Sequence, residues 1–259
     1  MSSVPLFVAV NTFRESVRDR VLYNLIFFAL LMMASAVLVG QISIGIERLV
    51  IINLGLSAIS LLGLVMSVFI GVGLVYKEIE KRTLYSILAK PVRRWEFLAG
   101  KYFGLLLTLA INTALMTLGL FLALLYVDHA IGRADAHILL AVYFILLEFA
   151  LVTALALFFS CFSTPILSTL YTLGLYVAGI FASDLRDAGA LSSSGAVKAV
   201  RSVLYYALPN FSNFNVIGAT AHGDAIPMSL VWQNTAYAAI YILALLLAAS
   251  AVFSNRNLK

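Results

Sequence analysis

Residues Ile138–Ser160 read ILLAVYFILLEFALVTALALFFS, an apolar run interrupted by one charge, Glu148. At a rise of about 1.5 Å per residue, a helix of this length crosses a hydrocarbon core of about 30 Å. Five more runs of the same kind lie at Val21–Gly40, Leu49–Tyr76, Tyr102–Val127, Ile166–Ser183 and Val231–Phe253. The second and third runs exceed the bilayer thickness, so they are expected to tilt or to protrude from it. Only 11% of the 259 residues are charged and 63% are apolar. A water-soluble domain carries about 25% charge to solvate its surface. The outer surface of this chain must therefore face lipid. Six spans and their connections use nearly the whole length, which gives one domain over 1–259 and an all-α membrane fold.

Orientation follows from the basic residues, which mark the cytoplasmic loops. Twelve of the 17 Lys and Arg lie in the N-terminal segment, the loop after the second run and the C-terminal tail. The other five are Arg48, Arg133, Arg186, Lys198 and Arg201, in the opposite loops. Both termini are expected inside. The net charge of +5 thus reflects topology, and no nucleic-acid partner is expected.

Residues 1–20 precede the first run. Leu6, Val10, Phe13 and Val17 share one side of a helix, with Asn11, Arg14, Glu15 and Arg18 on the other. This predicts an interfacial amphipathic helix with its Arg side chains near anionic headgroups. Ala34-Ser35-Ala36 resembles a signal-peptide cleavage site. The preceding segment is too long and too amphipathic for a leader, and the apolar run continues past the site.

Two loops carry more than a connection. The inner loop 77–101 mixes seven cations with Glu78, Glu80 and Glu96, and Glu78 stands four residues before Arg82, a helix-supporting spacing. Pro91 ends that pattern. The outer segment 184–232 opens on a Gly/Ser stretch and turns amphipathic at Val197, Val200, Leu204 and Leu208, which predicts a short helix ending at Pro209. Phe211, Phe214 and Val216 are expected to hold the following residues shallowly in the membrane.

No GxxxxGK[ST] loop is present: Gly100-Lys101 is followed by Tyr102, and Trp95 stands where the first glycine belongs. The chain has no HExxH, no paired ligands at metal spacing and no GxSxG serine. His129, His137 and His222 read as loop residues. Cys161 is the single cysteine, so no intrachain disulfide forms. No catalytic, cofactor or metal residue is expected.

Glu148 is the one ionisable group deep in a span. Burying it costs about 2.5–3.5 kcal/mol on insertion scales, so it should face the bundle or a cavity. It is either a pathway or switch residue, or a structural hydrogen bonder to Asn112, Thr108 or Thr113 of the third span. In the second span Ser60, Gly63, Ser67 and Gly71 form a small-residue face that admits a close helix neighbour. Sequence leaves open whether that neighbour is in this chain or in a second copy.

The inner loop is more specific. Glu78-Ile-Glu-Lys-Arg-Thr-Leu-Tyr-Ser-Ile-Leu-Ala-Lys-Pro91, followed by Arg94-Trp-Glu-Phe-Leu-Ala-Gly-Lys101, resembles the first cytoplasmic loop of type 2 ATP-binding cassette (ABC-2) exporter permeases. Leu208-Pro209-Asn210-Phe211 is similar to the proline motif of that family's outer segment. The resemblance implies a permease subunit in a bacterial cytoplasmic (inner) membrane, paired with a second permease copy as a homodimer or paralogous heterodimer and driven by two separate ABC ATPase subunits. Thr83, Leu84, Ile87 and Leu88 would then supply the apolar part of a helix docking into the ATPase, with Glu78, Glu80 and Arg82 as its charged rim. A secondary transporter or channel is the main rival, weakened by the lack of an inverted repeat. A membrane-embedded enzyme is the third reading, and it lacks paired catalytic residues. The cargo is not legible.

Overall fold

A computed structural model describes residues 4–17, 20–43, 45–80, 94–128, 136–182 and 208–255. The described residues form helices α1 (Val4–Val17), α2 (Arg20–Ile42), α3 (Glu47–Glu80), α4 (Arg94–Asp128), α5 (Ala136–Ser160), α6 (Pro165–Ile180), α7 (Ile217–His222) and α8 (Met228–Asn255), with a 3-10 turn at Phe211–Phe214. No strand occurs among them.

Four helices are long and apolar enough to cross a membrane, over Glu47–Gly73, Trp95–Val127, Ala136–Ser160 and Met228–Phe253. The first expected span is described as apolar over Leu30–Ile42, within α2. The fifth is α6, whose 16 residues reach only about 24 Å. The over-long second and third runs become single helices of 34 and 35 residues. Each continues well past its apolar stretch into the inner loop, so Lys77–Glu80 extend α3 and Arg94–Lys101 open α4.

Helix α5 is the axis of the bundle. Every residue from Phe149 to Leu157 is buried, as expected of a helix that is apolar all round. Of its most apolar stretch 72% is buried, against 17% for α8, which therefore lies at the periphery. Lipid tails are as apolar as leucine, so these helices gain little from hydrophobic burial against each other; close contact between small residues substitutes. A Cβ on Gly63 of α3 would strike the Phe149 ring of α5, and one on Gly71 would come within 2.9 Å of the Ala156 Cβ. The small face of α3 is thus filled by α5 of the same chain. The Ser67 hydroxyl turns back on its own helix, donating to the carbonyls of Gly63 and Leu64 at 2.9 Å. Gly55 faces Leu120 of α4 in the same manner.

Tight turns join α2 to α3 and α5 to α6. Gly45 takes φ 86° in the first, a left-handed conformation that glycine adopts without strain. Pro165 opens α6 after an extended Thr164, the position where its missing N–H costs nothing. A small second core of Phe97, Leu98, Cys161, Ala249 and Phe253 joins the neighbouring ends of α4, α5 and α8.

The outer segment differs from expectation. Phe211 and Phe214 are 2% and 1% exposed, packed inside the bundle instead of lying shallowly on it. The reason lies in their packing: residues 208–222 turn inward against the end of α6, where the Phe211 ring lies beside Tyr176. A Cβ on Gly179 would collide with the Pro209 carbonyl, so the chain passes directly over the last turn of α6. The amphipathic helix expected at Val197, Val200 and Leu204 lies outside the described residues.

Candidate functional site

Two places in the fold combine polar chemistry with burial. The first is the base of α4, where α1 crosses it. Gly100 and Gly104 stand one turn apart on α4. A Cβ on Gly100 would meet Val8 Cβ at 2.6 Å and the Pro5 carbonyl at 2.8 Å, and one on Gly104 would meet the Ala9 carbonyl at 2.6 Å. Backbone therefore lies on backbone, with Thr12 and Ser16 of α1 buried in the seam. Leu6, Phe7 and Val10 point away and are exposed. The side of α1 that packs is its small, partly polar one, and Leu6 and Val10 of the expected apolar stripe remain available to lipid. Phe13 is half-buried, and the side chain of Val17 is not described.

Lys101, adjacent to Gly100, is 1% exposed. Its Nζ lies 3.6 Å from Glu15 Oε2 of α1 and 5.8 Å from the centre of the Phe97 ring. Glu96, on the same helix, is also buried. A cation held this way joins α1 to α4 by charge as well as by shape. The sequence signal for this seam was the Gly100-Lys-Tyr-Phe-Gly104 spacing, a small-xxx-small step of the kind that lets helices touch. The same residues also carry the incomplete phosphate loop and the family motif.

The α1–α4 seam flanks the inner loop. Glu78 and Glu80 sit on the last turn of α3, with their side chains not described. Arg82, Thr83, Leu84, Ile87, Leu88 and Pro91 lie outside the described residues.

The second place is near the midpoint of α5. Glu148 is 7% exposed and accepts a 2.6 Å hydrogen bond from the Tyr176 hydroxyl of α6. This corrects the third-span partner that the sequence suggested. The Asn112 amide instead donates to the Thr108 carbonyl one turn back on α4 at 2.9 Å, and the Thr108 hydroxyl donates to Gly104. These α4 groups satisfy themselves within their own helix.

Glu148 also lines a cavity of about 230 Å³ between α3, α5, α6 and the inward-turned segment. Ser60 of α3, Tyr176, Phe211, Ser212 and Phe214 border it. That segment is fixed by a dense set of bonds. Asn210 Oδ1 accepts from the Ser212 backbone at 3.1 Å and from its hydroxyl at 2.6 Å, capping the 3-10 turn. The Asn210 N–H donates to the Tyr237 hydroxyl of α8 at 2.7 Å, and the Asn234 amide donates to the Asn213 carbonyl at 2.7 Å. An aromatic series, Tyr176–Phe211–Phe214–Tyr237–Tyr241, runs from α6 through the turn to α8 with successive ring centres 4.8–6.5 Å apart.

In comparisons with known proteins, the family model for ABC-2 family transporter proteins matches residues 6–258. No curated protein matches the chain.

Proposed function

The chain belongs to the ABC-2 transporter family, and from that premise we propose that it is the transmembrane permease subunit of a bacterial ATP-binding cassette exporter. It is a multi-pass membrane protein of a transport system, and its family works with ABC ATPase subunits. The finer reading is a six-span subunit with both termini cytoplasmic, α2 and α6 supplying the first and fifth spans. Two such subunits would form the pathway, and two separate ATPase subunits would drive it.

The observation that carries this reading is the α1–α4 seam. The inner loop of the chain connects the extended ends of α3 and α4, and α1 is clamped across the base of α4 at Gly100 and Gly104. A push on that loop reaches a rigid corner instead of a free tail. Leu84 and Leu88 supply apolar surface for an ATPase groove, with Glu78, Glu80 and Arg82 around it. The test is whether a neighbouring gene encodes an ABC ATPase that copurifies with the permease and is stimulated by it in a reconstituted bilayer. Absence of both for the wild-type pair would overturn the assignment.

A further inference from the structure

The cavity at Glu148 presents a chemistry of its own. Among its lining residues none is basic, and its one carboxyl is that of Glu148. At membrane depth such a carboxylate needs a compensating charge or must give up its own. Three aromatic residues, Tyr176, Phe211 and Phe214, border the space. The Tyr176 and Phe211 rings have centres 4.9 Å apart and meet at 55°, and Phe211 and Phe214 meet at 52° with centres 6.5 Å apart. Inclined in this way, the rings do not stack into a flat wall. Ser60, Ser212 and Asn215 add small polar groups at the border. A carboxylate set among tilted aromatic rings is the combination that recognises an alkylammonium group, by charge and by ring quadrupole together. The volume of about 230 Å³ falls below the roughly 300–1,000 Å³ of sites for drug-sized ligands, which matches a headgroup-sized guest.

We propose that the Glu148 cavity is a binding site for a small alkylammonium group, held between the Glu148 carboxylate and the Tyr176, Phe211 and Phe214 rings. The group belongs either to a free solute or to the headgroup of a zwitterionic phospholipid. The proposal rests on α5 spanning the membrane and is independent of coupling to an ATPase, because it concerns binding to the permease alone.

The test is equilibrium binding of radiolabelled choline to the purified full-length permease, with its neutral carbon isostere dimethylbutanol as competitor. Saturable choline binding that dimethylbutanol fails to displace is expected. Glu148→Gln keeps an acceptor for the Tyr176 hydroxyl but removes the charge, and should weaken binding about thirtyfold or more. Phe211→Leu should weaken it by about threefold to thirtyfold. Ser60→Leu fills the space without touching the charge and should abolish binding, which keeps the test decisive if Glu148→Gln fails to fold. Repeating the titration in nanodiscs separates the two sources. Competition by phosphatidylethanolamine, relative to phosphatidylglycerol alone, assigns the group to lipid, and unchanged affinity assigns it to a solute. No saturable choline binding to wild type, equal displacement by dimethylbutanol, or undiminished binding to Glu148→Gln would overturn the proposal.

Discussion

The Tyr176 hydroxyl donates to Glu148 Oε1 at 2.6 Å and thereby joins α6 to α5 near the midpoint of the bundle. Interhelical hydrogen bonds in membranes contribute about 0.6 kcal/mol on average and up to about 1.7 kcal/mol. A double-mutant cycle of Tyr176→Phe and Glu148→Leu, each of which removes the bond, should return a coupling of about 0.5–1.5 kcal/mol. Unfolding in mixed micelles measures it, and additivity of the two variants would show that the bond contributes nothing.

Gly63 has the Phe149 ring where its Cβ would stand, whereas nothing lies within 4 Å of a Cβ on Gly73. Gly63→Val should destabilise the bundle by about 1–3 kcal/mol through overpacking. Gly73→Ala should change it by no more than about 0.5 kcal/mol. Thermal unfolding of the two variants side by side checks the contrast. Equal effects would mean that the α3–α5 contact is looser than described.

The α1–α4 seam predicts a selective loss. Gly100→Leu and Gly104→Leu each place a side chain into α1, and the expected result is a permease that still inserts but whose α1 exchanges amide hydrogens faster. ATPase stimulation should fall at the same time. Unchanged exchange in α1 would contradict the clamp.

The inner loop should report on partner docking. Leu84→Asp with Leu88→Asp removes apolar surface worth about 1.5–3 kcal/mol per fully buried side chain and sets negative charge in its place. Insertion should survive, because the spans are untouched. Copurification with the ATPase should be lost. Retention of a stable, stimulated complex by the double variant would rule out this part of the loop as the docking element.

Charge asymmetry fixes the expected topology: reporter fusions after Lys90 should read cytoplasmic and those after Ser193 extracytoplasmic. An extracytoplasmic signal at Lys90 would invert the arrangement.

Much of the helix layout was legible because the bilayer imposes a length on every crossing. The runs at Leu49–Tyr76, Tyr102–Val127, Ile138–Ser160 and Val231–Phe253 each fall within a described helix of spanning length. The small face at Gly63, Ser67 and Gly71 announced a close neighbour, but spacing within one helix carries no information about which other helix fills it. The same limit hid Tyr176 as the partner of Glu148: Asn112, Thr108 and Thr113 were equally plausible donors until the register of α4, α5 and α6 was known. Phe211 and Phe214 misled for a different reason. Aromatic residues beside a proline suit the membrane interface as well as a core, and only their packing against Gly179 and Tyr176 of α6 decides between them.

That packing also ties the carboxyl to the periphery of the molecule. α8 grips the inward segment at two points one turn apart, through Asn234 and Tyr237, and the segment presses Phe211 against Tyr176. If the last helix shifts along its axis, it must tear out one of these grips or carry the segment with it. In the second case the ring beside Tyr176 moves, and the displacement arrives at Glu148 without passing through the packed interior of α5. The fold thus contains a mechanical train of four parts, from α8 through the segment and Tyr176 to the carboxyl, with little slack at any joint.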